Sequence, residues 1–430
     1  MIKKEMKGQS SKYAWYVASV FFFVMLLHNA DKFLISPLLP MIQEEFNLSY
    51  TQLGAIQTGS IIVAVIFMPI WGYLFDKYAR PPIVALASAI WGITTIFSTL
   101  SRNYFELVIT RALTGIDNQA TSGLISLIGD YFPPSKWSTA VGLLYTSNSL
   151  GTMVGVIVGS LIGYSLGWRS AFLVTAAPGV LLAILVLLTV KDRPRGATQE
   201  ELLGVAEQLK LSFSFQAFKD LVTRKSAITL FVQGFFGVFP WQILEYWLFT
   251  YMSHERGMAP DESMIAMLLF LVGLTFGYII AGILGDQLYK KFRSGRMIFS
   301  AVMVFIGMLI FDATILSPSS TLFLILGFIT TLTIPIAGPN VAATVQEISL
   351  PEVRATALAT LTFFENVGSA TAPLITGYFA DNIGLTWAIV TIVTVTWSIC
   401  SFFLGLTAYL LPKDVVYVKQ QLKKKAESIK

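Results

Sequence analysis

Residues 72–81 read GYLFDKYARP, and this short charged stretch divides two long apolar runs at 50–75 and 83–101. Asp76, Lys77 and Arg80 are too costly to leave in hydrocarbon, and Pro81-Pro82 interrupts the run that follows. Each flanking run reaches or approaches the roughly 20 residues that a helix needs to cross a bilayer. The stretch is therefore a tight aqueous turn between two membrane-spanning helices.

The same pattern of apolar run and polar break continues in both directions. Candidate spans fall near 14–36, 50–75, 83–101, 104–129, 138–165, 169–190, 227–252, 262–285, 296–316, 320–346, 355–380 and 384–411, with breaks at Pro37 and Pro40, Pro81-Pro82, Pro133-Pro134, Pro318 and Pro351. The composition agrees: 55% of the 430 residues are hydrophobic and 13% are charged, too few charges to wet the surface of a soluble domain. The expected fold is an all-α polytopic membrane protein with twelve transmembrane helices in two pseudo-symmetric six-helix bundles.

Charge orients the chain. Of its 30 Lys and Arg residues, Lys32 and Arg111 fall inside spans, and Arg102, Arg169 and Arg256 lie on one side. All the others lie on the opposite side, which places both termini in the cytoplasm, as expected of a protein of a prokaryotic inner membrane. The basic residues are scattered over short loops, so no nucleic-acid-binding face is expected. Lys3, Lys4, Lys7 and Lys12 precede the first apolar run as in a signal peptide, but no small-residue cleavage site follows; the run reads as an uncleaved first helix. The single Cys400 allows no disulfide.

The longest polar interval divides the chain into segments 1–190, 191–226, 227–412 and 413–430: a six-helix bundle, a cytoplasmic linker with an amphipathic helix, a second bundle and a basic tail. The two halves repeat each other. Gly72, Asp76 and Arg80 recur at an offset of about 210 as Gly282, Asp286 and Lys290, and at about 217 Pro134, Thr139 and Ala140 recur as Pro351, Thr356 and Ala357. A transporter built from repeats places its site at their interface.

The GYLFDKYARP stretch resembles the cytoplasmic signature of the major facilitator superfamily, with Ala79 where glycine is usual. RALTGID (111–117), GWRSAF (167–172) and PEVRATALA (351–359) fall where that superfamily places related motifs. NADKF (29–33), RALTGIDNQA (111–120) and DRPRG (192–196) are most similar to the spinster-like branch, whose members carry lysolipids and sphingolipids; the anion:cation symporter branch is next. Both branches tend to have an acid three residues after the glycine that corresponds to Gly115, whereas this chain has Asn118 there and Asp117 one place earlier. The resemblance implies that Asp76 and Arg80, with Gly72, form a cytoplasmic gate latch and that Asp286 and Lys290 are its weaker copy.

A charge in the middle of a span costs several kcal/mol unless paired or hydrated and so marks function by default. Asp31, Lys32, Arg111, Asp117, Glu245 and Glu365 meet that criterion. On a regular helix Gly115, Asn118 and Ser122 share the face of Arg111, while Asp117 lies about 120° away and needs a partner on another helix. His28, Asp31 and Lys32 share a face of the first span. Asp31 beside Arg111 would set a proton and an anionic substrate in competition for one guanidinium; the alternative is a permanent ion pair that only fixes packing. His28 reads more readily as a packing residue than as a proton relay. Glu245 and Glu365 put carboxylates in the second half, and Asp312 falls at a solvated outer helix end. Tyr145 and Asn148 either bind substrate or link helices.

Glycines at 151, 155, 159 and 163, and small residues at 273, 277, 281 and 285, form two ridges for close helix packing. Pro335 and Pro339 should loosen the tenth span. No G-x-x-x-x-G-K-[ST] occurs, and two distant histidines with one cysteine leave little for a metal or covalent centre. The chain is therefore expected to be no enzyme and to use no cofactor or metal. The function expected is alternating-access secondary transport, proton-coupled and monomeric, of a lysolipid-like or sphingolipid-like amphiphile or a small organic anion. The competing readings are a multidrug or other exporter, an uncoupled facilitator and a lipid scramblase.

Overall fold

The computed structural model describes residues 2–117, 124, 131–132, 137–192, 215–350 and 353–429. Regular structure among them is entirely helical: α1 (Ile2–Phe46), α2 (Tyr50–Lys77), α3 (Arg80–Thr99), α4 (Tyr104–Leu113), α5 (Trp137–Leu166) and α6 (Trp168–Thr189). The second half follows as α7 (Phe215–Val222), α8 (Lys225–Gly237), α9 (Phe239–Gln242), a π turn (Ile243–Trp247), α10 (Leu248–His254), α11 (Pro260–Lys291) and α12 (Gly295–Ile315). Then come α13 (Ser320–Thr333), a 3-10 turn (Ile334–Ile336), α14 (Ala337–Glu347), α15 (Arg354–Ile383) and α16 (Leu385–Ile429).

Ten stretches among the described residues are long and apolar enough to cross a membrane. The other two expected spans are accounted for differently. The fourth is helical at Tyr104–Leu113 and tightens into a turn at 114–117; its remainder lies outside the described residues apart from Leu124. The eleventh is α15, which at 30 residues is long enough to span but carries Thr356, Thr360, Thr362, Glu365, Asn366, Ser369 and Thr371 along its length. The all-α polytopic fold with twelve spans stands on these elements.

Three expected boundaries are corrected. Pro37 and Pro40 do not end the first helix, because α1 runs through both to Phe46; the bare face of Gly159 lies close to the Pro37 ring, and membrane helices tolerate proline where neighbours fill the gap. The seventh span is broken at Val238–Pro240 and then widened into the π turn. The tenth breaks where its prolines lead one to expect, at Ile334–Ile336. The last helix continues past Pro412 to Ile429, so the basic tail is helical rather than a separate extension. Of the linker, 193–214 lie outside the described residues.

The chain forms two compact units, Met1–Lys210 with Met258–Met264 and Leu211–Gly257 with Ile265–Lys430. In the first, α1 packs along α5 and α6, α3 along α6 and α2 along α4, around a core that includes Phe21, Met25, Trp71, Phe75, Phe132 and Leu144. The glycine ridge of α5 makes the α1 contact possible: a methyl group at Gly151 or Gly155 would overlap the backbone carbonyl of Leu26 or Ala30. In the second unit α12 packs on α16 and α13, and α8 on α16 and α15. There Gly273, Gly277 and Gly285 lie against Thr331, Pro335 and Asn340. Large apolar side chains such as Leu188, Phe402 and Tyr409 remain exposed, as expected where the solvent is lipid.

The repeat extends to details of local structure within each unit. Gly167 and Gly384, 217 positions apart, start α6 and α16 with φ of 86° and 81°, a region open to glycine and strained for other residues. Glu45 at the end of α1 accepts from Trp168 Nε1 at 2.6 Å and pairs with Arg169 at 2.7 Å. Its counterpart Glu255 accepts from Thr386 Oγ1 at 3.0 Å. The carbonyl of Ser101 accepts from Arg169 at 2.8 Å and that of Ser317 from Arg256 at 3.0 Å. The three arginines on the less basic side thus include two that cap loop carbonyls.

Candidate functional site

The deepest charges of the first unit meet where α1, α3, α4 and α6 converge. Asp31 is 2% exposed and Arg111 4%, and Arg111 Nη1 lies 3.4 Å from Asp31 Oδ2. Thr95 Oγ1 of α3 donates to the same oxygen at 3.3 Å, and Thr175 Oγ1 of α6 donates to Oδ1 at 3.1 Å. The guanidinium stacks over the Phe172 ring, 4.8 Å from its centroid. A buried carboxylate is thus held by one cation and two hydroxyls from three different helices. The sequence pointed to Asp31 and Arg111. It gave no signal for Thr95 or Thr175, since register between helices is not written in any one of them.

Asp117 does find its partner on a neighbouring helix, and that partner is His28: Nδ1 to Oδ2 is 3.1 Å. The contact exists because the α4 helix tightens after Leu113. Gly115 N bonds Ala112 O at 3.0 Å and Ile116 N bonds Leu113 O at 3.1 Å, so the regular helical wheel fails over 114–117. Gly115 itself lies on the Ser60 carbonyl, where a Cβ would overlap, and Trp71 Nε1 donates to Ile116 O. His28 therefore has a carboxylate partner as well as a packing role. Asn118 lies outside the described residues.

The remaining candidates of this unit are not drawn into the same cluster. Lys32 is half-buried and lies over the Phe33 ring at 5.3 Å. Asn148 accepts from Asn29 Nδ2 at 2.7 Å, tying α5 to α1, and Tyr145 is 56% exposed.

In the second unit Glu245 and Glu365 are both half-buried. Glu245 sits in the π turn, a distortion that recurs at functional sites, and Glu365 lies beside Gly234, whose added Cβ would come within 3.3 Å of the glutamate Cγ. Tyr278, which packs against Trp241 at 6.2 Å, is in electrostatic reach of both carboxylates. Asp312 is half-buried and accepts from Thr394 at 2.7 Å, so it is less solvated than its position suggests.

At the basic side Arg80 is buried and its Nε lies 3.7 Å from Asp192 of the DRPRG stretch. Gly72 and Asp76 are in α2, and the Asp76 side chain lies outside the described positions. Asp286 pairs with Arg296 at 2.5 Å, Arg296 stacks over Tyr289 at 4.1 Å, and Tyr289 donates to Glu347 at 2.6 Å. Lys290 is exposed. Asp286 thus pairs with Arg296 of the next helix, whose planar fork suits a carboxylate better than an ammonium.

A sequence profile of the Major Facilitator Superfamily matches residues 21–314 and 246–429. The protein spinster of Drosophila melanogaster is 30% identical over 279 residues, 64% of this chain and 45% of that protein, so the chain spans less than half the length of that relative. The cis,cis-muconate transport protein of Acinetobacter baylyi is 25% identical over 98% of this chain and 100% of its own. The crystal structure of a bacterial homolog of the human lysosomal transporter Spinster, inward-facing and unoccupied, superposes with a TM-score of 0.84 at 20% identity, covering 94% of this chain and 98% of that one. At that identity the likeness concerns the fold.

Proposed function

The chain belongs to the Major Facilitator Superfamily, and from that premise we propose that it couples proton movement to alternating-access transport of an amphipathic lipid or an organic anion, with Asp31 and Arg111 as the coupling pair. That it is a multi-pass membrane transporter follows from the family; the coupling and the substrate class are the proposal.

The observation that carries it is the set of donors around Asp31. Threonine hydroxyls both donate and accept, so Thr95 and Thr175 can turn to serve either protonation state of the carboxyl group. The guanidinium donates only. Protonating Asp31 thus leaves the threonine bonds in place and releases Arg111, whose cationic fork then suits a carboxylate or phosphate of the substrate. At 3.4 Å and an effective dielectric constant near 20, the direct attraction is about 5 kcal/mol, enough to make Arg111 unavailable while Asp31 is ionised. The name of one relative, a cis,cis-muconate transport protein, motivates the organic-anion class, and the resemblance of NADKF and DRPRG to the spinster-like branch motivates the amphipathic lipid.

Flux in proteoliposomes tests this, with and without an imposed pH gradient, using lysophospholipids, sphingoid bases and small carboxylates as probes. The expected result is gradient-driven uptake that Asp31→Asn uncouples and Arg111→Ala abolishes. Flux independent of pH and unaffected by either substitution would refute the coupling pair and indicate a facilitator or scramblase. The cytoplasmic orientation of both termini and the Asp76, Arg80 and Asp286 latch belong to the same proposal.

A further inference from the structure

His28 and Asp117 form a second ionisable pair, apart from Asp31 and Arg111. The imidazole comes from α1 and the carboxylate from the turn after α4, with side chains 11% and 4% exposed. They line a cavity of about 20 Å3 together with Val24, Ser88, Trp91 and Leu124, space for roughly one water molecule. Trp91 meets the imidazole edge-on with ring centroids 5.6 Å apart. Asp117 Oδ1 is buried and accepts no hydrogen bond among the described residues.

Among the described residues the charged groups around this pair are few. On α1, Asp31 lies one turn from His28 and is the next charge that Asp117 feels, but Arg111 already holds it. Lys32 lies over Phe33. From α3 the facing side chains are neutral, Ser88 and Trp91, and from α2 the neutral Trp71 reaches the turn at Ile116.

We propose that His28 and Asp117 together hold one dissociable proton, a proton-binding site distinct from the Asp31–Arg111 pair. With two protons the pair carries a net charge of +1, with none −1, and with one it is neutral. Only the neutral form escapes the several-kcal/mol desolvation cost of an unbalanced charge in a nearly dry pocket. A single proton is therefore the favoured load of the pair, and it exchanges with the water that the cavity can admit. The unsatisfied Oδ1 beside the cavity is where the proton would be exchanged with that water, so no other donor or acceptor is needed. The site goes beyond the coupling pair proposed above and rests on the transport reading only for its use.

The chain has two histidines, His28 and His254, which makes a direct test practicable. The full chain is labelled with [15N]histidine, placed in lipid nanodiscs and titrated from pH 5 to 9, with His254→Gln leaving His28 as the sole signal. The His28 nitrogen shifts are expected to respond to pH. At pH 7 the ratio of imidazolium to neutral imidazole should fall at least tenfold in Asp117→Asn, since an opposite charge at this distance changes such a ratio by ten- to a thousandfold. A His28 spectrum that keeps one neutral tautomer over the whole range would overturn the proposal, as would a ratio unchanged by Asp117→Asn. The wild-type titration decides even where the substituted protein fails to fold. It uses no substrate and no gradient, so loss of the flux result refutes the coupling pair alone and a pH-silent His28 refutes this site alone.

Discussion

Replacing Gly155 by alanine should disturb Asp31 without touching it. Gly155 faces α1 so closely that an added Cβ would overlap the Ala30 carbonyl and come within 3.1 Å of the Ala30 Cα. Backbone cannot swing aside as a flexible side chain can, so the two helices must part by on the order of 1 Å to reach ordinary contact. Overpacking of this kind costs about 1–3 kcal/mol, offset by roughly 1 kcal/mol from the better helix propensity of alanine. The net loss should be at most about 2 kcal/mol, or up to roughly 8 °C in the apparent melting temperature of a unit of this size. Asp31 follows Ala30 in the chain, and its bond to Arg111 is already long at 3.4 Å, so pH-driven flux should fall more than stability does. The assay is thermal unfolding of the detergent-solubilised protein followed by fluorescence, paired with the proteoliposome flux. Gly282→Ala serves as the control, since nothing lies within 4 Å of a Cβ there, and it should be neutral or slightly stabilising. Equal melting temperatures and equal flux for the two variants would refute the close-approach reasoning.

Other consequences can be measured separately. Thr175→Val removes one of the two hydroxyls on Asp31 and should cost about 1–3 kcal/mol in the same melting assay, whereas Thr175→Ser should cost less than half as much. Arg256→Lys should recover little of the stability lost in Arg256→Ala, because the guanidinium spans Ser317 O at 3.0 Å and Tyr251 Oη at 3.3 Å while lying over Phe323 at 4.4 Å; equal melting temperatures for the lysine variant and wild type would contradict this. Cys400 is 1% exposed and donates to Gln233 Oε1 at 3.5 Å, so a maleimide should label it only after denaturation in detergent such as dodecyl sulfate.

The spans could be read from the sequence because lipid imposes length and hydropathy on every helix. The Asp31–Arg111 contact was foreseeable because few charges are affordable at that depth. What failed was whatever depended on a helix staying regular. The wheel that put Asp117 away from Arg111 pointed correctly to a partner elsewhere but could not name His28, because the 114–117 turn tightens against Ser60. Likewise α1 ignores Pro37 and Pro40, while the seventh span breaks at a single Pro240. Proline states that a bond is missing; only the neighbouring helix decides whether the gap matters. The pairing of Asp286 with Arg296 was hidden for a related reason, since motif matching favours the residue four places on and overlooks one across a loop. Glu45 and Glu255, and Gly167 and Gly384, do fit the offsets of 210 and 217, so the repeat was legible there.

The two halves also differ in stiffness at equivalent places. Through its described length α1 is an uninterrupted rod. The corresponding segment of the second half is jointed, passing through α8, α9, the π turn and α10. Bending a continuous helix breaks hydrogen bonds one after another, whereas a joint at 238–247 already has its exceptions in place. Elastic deformation applied equally to both halves would therefore collect at this joint, and Glu245, sitting within it, would be the acidic side chain that swings farthest for a given load.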